Sequence, residues 1–219
     1  MRKYSTVLLA LALLIFATAP IAIYLAPYES TMGLVQKIFY YHVPAGILML
    51  VLAMLAGVAS AIFLFTGRRK YDHWAVAFVE LVVLFGAMTL VTGPLWARKS
   101  WGVWWDWEPR LTSSLLGWLV SIAYLLLRRF GGPGSDKLAA GLALFGIANA
   151  PFVYVSVNYW RTMHPKTTVL GSLVPPMAGP IWLGMAGFVV MAIVLFAIRV
   201  QLEEQRDRVE ALYLAADES

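Results

Sequence analysis

Trp101-Gly102-Val103-Trp104-Trp105-Asp106-Trp107-Glu108-Pro109-Arg110-Leu111-Thr112 lies between two long apolar runs, and its reading decides the fold. Four of the seven residues from Trp101 to Trp107 are tryptophan. If that segment is helical, Trp101, Trp104 and Trp105 stand at i, i+3 and i+4 and share one flat aromatic face. Pro109 stops or redirects the chain. An interfacial aromatic belt is the ordinary use of tryptophan in membrane proteins. A belt, however, needs only a ring or two per helix end. Four packed together fit a platform for a large planar ligand, with Arg110 set to pair with its anionic groups.

Working outward, 61% of the 219 residues are hydrophobic and 13% are charged. Soluble domains are nearer half apolar and a quarter charged. The composition predicts an all-α integral membrane protein forming a single domain, 1–219. The absence of cysteine excludes disulfides, thiolate metal sites and a C-x-x-C-H haem attachment, so the chain is not itself a c-type cytochrome.

Six apolar runs are long enough to cross a hydrocarbon core: 7–26, 45–66, 74–96, 111–127, 138–157 and 180–198. A charged tail, 199–219, follows and is expected to be helical at its start. Ala17-Thr18-Ala19 resembles a signal-peptidase site, but Pro20 follows it directly and the apolar run continues, so a retained first span is expected. Residues 27–41 read as a loop with an interfacial helix. Pro44 suits a first helical turn, which would leave His42 just outside span two. His73 reads as a solvated loop residue. Glu80 falls inside span three, where a charge is costly, and is expected to be protonated or partnered near the basic loop. In span five, Pro151 should kink the helix and Asn149 should bond between helices.

Six spans put both termini on one side. Eleven of the seventeen basic residues fall on that side, and Lys37, Arg98, Lys99, Arg110, Arg161 and Lys166 on the other. The excess makes the termini cytoplasmic and explains the net charge of +5 without nucleic acid. The tryptophan-rich loop between spans three and four then faces outward, as do His42 and His164. Arg98, Lys99 and Arg110 bracket the tryptophans and are candidates for ligand carboxylates. Lys99 serves equally well as a cation snorkelling to lipid headgroups.

The stretch resembles the tryptophan-rich WWD signature of haem-handling proteins in cytochrome c maturation, in particular the CcmC family. The family form is W-G-x-x-W-x-W-D-x-R-L-T. Trp101, Gly102, Trp104, Trp105, Trp107, Arg110, Leu111 and Thr112 stand in place. Glu108 replaces the family's Asp, keeping the carboxylate and lengthening its reach by one methylene. The resemblance covers nearly the whole chain. It implies that His42 and His164 are the two external histidines that bind haem iron, with Trp101, Trp104, Trp105, Trp107, Glu108 and Arg110 completing the haem site. Haem iron commonly takes axial histidines, and porphyrin faces suit indole rings. The resemblance also implies a multi-pass protein of the bacterial inner membrane. Such a protein holds haem b transiently and non-covalently and presents it to the periplasmic chaperone CcmE. Its neighbours would be the ABC transporter subunits CcmA and CcmB, the small membrane protein CcmD and membrane lipid. That role is lyase-like assembly, with no nucleophile of the chain's own.

Two other functions are open to a chain of this composition. A b-type membrane cytochrome usually ligates haem from within its spans, whereas none of the three histidines here lies deep in a span. A free-standing ABC permease would need a polar pathway and an ATPase, and the sequence has neither.

Overall fold

A computed structural model describes residues 2–30 and 32–217, with backbone alone for 2–5. Met1, Thr31, Glu218 and Ser219 lie outside the described residues, as do the side chains of Arg2 and Lys3 in the basic flank of span one. The element order is α1 (Arg2–Leu25), a 3-10 turn (Leu34–Ile38), α2 (Phe39–Thr66), α3 (Arg69–Trp101), α4 (Pro109–Phe130), α5 (Ser135–Tyr159), a second 3-10 turn (Thr167–Ser172) and α6 (Pro175–Asp217). Six of these helices are long and apolar enough to cross a membrane, and the protein is an all-α, multi-pass membrane protein.

Helix α2 is the hub, packed on α3, α5 and α6. Helix α4 lies against α5 and α3, and α1 runs beside α6 at the edge. The central core shows helical periodicity on α2: Ala45, Leu48, Met49 and Leu52 meet Leu81, Val82 and Phe85 of α3 and Phe188 of α6. Small residues let α2 and α5 approach closely. A Cβ on Gly57 would lie 2.5 Å from Ile147, and one on Gly146 would lie 2.6 Å from the Ala53 carbonyl oxygen. That is the small-residue contact by which membrane helices pack without a hydrophobic drive between them. Asn149 bonds across helices as expected, its Nδ2 donating to the Ser113 carbonyl at 3.2 Å.

The helices outrun their apolar windows. Once a chain is helical, its backbone bonds continue until a cap, whereas hydropathy marks only the hydrocarbon-length portion. At the end of the bundle away from Trp101, charged residues pin these extensions together. Buried Asp72 pairs with Arg128 of α4 at 2.9 Å and with Arg69 at 3.0 Å. Arg69 also reaches Asp136 of α5 and Asp207 of α6.

His73 corrects its sequence reading. It lies inside α3, is 6% exposed, and its Nε2 is 2.7 Å from Asp207. The sequence hid this because the partner is 134 residues away. The tail is helical from its start, as expected, and α6 runs unbroken to Asp217, with Arg199 and Asp207 carrying its ion pairs to α3. Glu80 is partnered as expected, forming a two-point ion pair with Arg199, which also bonds Glu203.

Candidate functional site

The opposite end of the bundle gathers the tryptophan-rich stretch and two of the histidines. Helix α3 ends at Trp101 because Gly102 takes a left-handed conformation, φ 80°, which glycine adopts without strain. The Arg98 guanidinium donates to the Gly102 carbonyl and lies 5.9 Å from the Trp104 ring centre. Residues 102–108 are irregular, so the expected single helical face over Trp101–Trp107 does not form. A loop gathers the rings instead. Glu108 is the N-cap residue of α4 and Pro109 its first helical residue, where a missing N–H costs nothing.

A cavity of about 540 Å³ opens between this loop and α2, α3 and α5. Trp101, Trp104, Trp105 and Arg110 line it, together with both His42 and His164. Trp107 is 74% exposed and off the wall, meeting Trp105 edge-on at 5.9 Å. Glu108 is also off the wall, buried behind it. Trp96 and Lys166 do line the cavity, though the sequence reading gave them no such role. Trp96 looked like the last residue of span three, and Lys166 was one basic loop residue among six. Its position two residues after His164 was the available signal.

His42 sits within α2, not before it, because the 3-10 turn Leu34–Ile38 runs directly into the helix. It is buried, 9% exposed, with its ring 5.8 Å from Trp96. Its Nδ1 is 2.9 Å from Thr92 Oγ1 on α3. Thr92 gives its own proton to the Met88 carbonyl at 2.7 Å, so toward His42 it accepts. The proton therefore rests on Nδ1, and Nε2 carries the lone pair.

His164 lies in the loop between α5 and the second 3-10 turn. Its Nδ1 is 3.0 Å from the Pro165 carbonyl, which can only accept, so Nε2 is again the bare nitrogen. Among the described residues neither Nε2 has a hydrogen-bond partner. The two ring centres are 6.5 Å apart with planes at 39°. Burial first, and then the Arg110 charge, pushes the His164 pKa down to about 3, so the imidazole is neutral at pH 7. The Arg110 side chain forms no salt bridge or hydrogen bond among the described residues, and the Glu108 carboxylate acts on it only through space.

Comparison with known proteins gives the family of the chain. The family model for CcmC, Heme exporter protein C, matches residues 1–215. Heme exporter protein C of Escherichia coli (strain K12) is 30% identical over 201 residues, covering 86% of this chain and 80% of that protein. Its namesake from Paracoccus denitrificans is 31% identical over 196 residues, covering 86% and 81%. A cytochrome c biosynthesis ccmC-like mitochondrial protein of Marchantia polymorpha is 28% identical over 203 residues, covering 91% and 87%. With a family match over nearly its full length, on a six-helix frame that brings the tryptophan loop and two histidines to one cavity, the chain belongs to the CcmC (Heme exporter protein C) family.

Proposed function

We propose that this protein binds haem b non-covalently at the periplasmic face of a bacterial inner membrane. There it presents the haem to a CcmE-like chaperone for c-type cytochrome maturation. The names of the relatives support the process: haem export in the bacterial proteins and cytochrome c biosynthesis in the Marchantia protein. In this reading it works within an ABC-type system, with CcmA, CcmB and CcmD as neighbours. The excess of basic residues at the Arg69 end supports an outward-facing cavity.

The observation that carries the reading is the histidine pair. Both rings hold their proton on Nδ1 through a bonded acceptor and leave Nε2 free, the form in which histidine ligates metal. Metal–nitrogen bonds run about 2 Å, so one ion between two imidazoles needs facing nitrogens about 4 Å apart. Ring centres 6.5 Å apart leave room for such a gap. The cavity volume is typical of small-molecule sites, which run roughly 300–1,000 Å³. Trp101, Trp104 and Trp105 offer faces to the macrocycle, and Arg110 and Lys166 offer cations to its carboxylates. No residue need act as a nucleophile, because oriented binding is contribution enough.

Co-purification with the chaperone tests the hand-over, scoring total haem and denaturation-resistant haem separately. Trp105→Ala and Arg110→Ala should keep measurable haem yet load the chaperone roughly a hundredfold less, since misplacement of about 1 Å has that effect on a positioned reaction. Arg110→Lys should restore loading in part, because an ammonium lacks the two-pronged guanidinium contact. Normal loading by Trp105→Ala would reduce the loop to an interfacial belt.

A further inference from the structure

Glu108 is buried beside the cavity and touches none of it. Although it occupies the N-cap position of α4, its side chain makes no capping bond to its own helix. It reaches instead to the loop that carries His164. Glu108 Oε2 accepts the Thr162 hydroxyl proton and the Met163 backbone N–H, the latter at 3.2 Å. Thr162 has one proton, and it goes to the carboxylate. Its lone pair accepts the His164 backbone N–H at 3.0 Å. The bonds thus run Glu108 to Thr162 to His164, while the His164 ring is held separately by the Pro165 carbonyl.

The segment 160–166 has no regular secondary structure that would fix His164 by itself. Hydrogen bonds to an ionised acceptor are about twice as strong as neutral ones, and the start of α4 favours a negative charge at this point.

We propose that Glu108, acting through Thr162, is a positioning residue for His164: it sets the height of that imidazole over the cavity and does not itself contact haem. The inference rests on the haem-ligation reading for its spectroscopic part and stands apart from it for its mechanical part. One helix start then serves both ends of the ligand, because Arg110 faces the cavity two residues after Glu108 ties down the histidine loop.

The mechanical test uses the full-length, haem-free protein in detergent. Trypsin can cut after Arg161 and Lys166, both exposed and flanking the strapped segment. Cleavage tracks the opened population, so loss of the strap in Glu108→Ala or Thr162→Val should speed these cuts roughly tenfold. Thr162→Ser keeps the hydroxyl and should cut at the wild-type rate. In haem-loaded protein the same two variants should keep their haem while part of the iron shifts from low to high spin. Glu108→Ala combined with His164→Ala should look no worse than His164→Ala alone, as expected when one residue acts through the other. Unchanged cleavage in both strap variants would overturn the proposal, and so would a double variant that adds a further defect, the mark of general misfolding. If His164→Ala itself leaves the haem spectrum unaltered, the ligation reading is what fails, and the trypsin rates alone decide the strap.

Discussion

Thr92→Val removes one oxygen and keeps the shape of the side chain, so it isolates what the α3 hydroxyl does for His42. In the wild type, Thr92 Oγ1 accepts from His42 Nδ1 at 2.9 Å and donates to the Met88 carbonyl at 2.7 Å. Valine removes the Thr92 acceptor of the buried Nδ1–H, a loss of about 1–3 kcal/mol. It also frees the ring to turn and lowers the basicity of Nε2. Mutating the residue that orients a metal-binding histidine commonly weakens metal affinity about 10–100-fold, equal to about 1.4–2.8 kcal/mol, and the two estimates agree. Equilibrium titration of haem into the purified protein, followed by absorbance, should show a Kd raised by that factor. Thr66→Val is the control. Thr66 bonds the Ile62 carbonyl at the far end of α2, so its loss should leave the Kd unchanged. If Thr92→Val binds haem as tightly as wild type while His42→Ala does not, the tautomer argument is wrong.

The pH dependence follows from the same geometry. A base whose pKa is lowered to about 3 keeps its lone pair until the pH falls towards that value, so the haem-bound spectrum should hold from pH 7 to pH 5. Loss of the His164 bond beginning near pH 6.5, the value for a solvated imidazole, would contradict it. For orientation, a periplasmic reporter fused near Gly171 should be active and one at Gly132 silent, and the reverse pattern would invert the topology.

Much of this was legible in the sequence because membrane helices announce themselves by length and hydropathy. All six spans are readable there, and so are the tryptophan-rich stretch and the two histidines that the structure brings to one cavity. What was not legible depends on partners distant in the chain. His73 looked like a loop residue because only Asp207 of α6 explains its burial. The helical face over Trp101–Trp107 was a reasonable expectation from spacing, but Gly102 ends α3 before that face can form. Trp107 shares the motif with its neighbours, and only the path of the loop turns it outward. Glu108 read as part of the ligand-binding motif, whereas its bonds run to Thr162 and Met163, fifty-odd residues later. Hydropathy also stops at the hydrocarbon boundary, which is why α6 was cut short of its ion pairs.

The central claim is that His42 and His164 hold the haem iron together, and an absorption spectrum of the haem-loaded protein tests it most directly. Wild type should give a six-coordinate, low-spin spectrum. His42→Ala and His164→Ala should each shift it to high spin or lose haem, and added imidazole should restore low spin where haem is kept. His73 is separated from Trp101 by about 42 Å of helix, taking 1.5 Å per residue along α3, so His73→Ala should leave the spectrum unchanged. A wild-type spectrum from either of the first two variants, or damage from His73→Ala equal to theirs, would contradict the account.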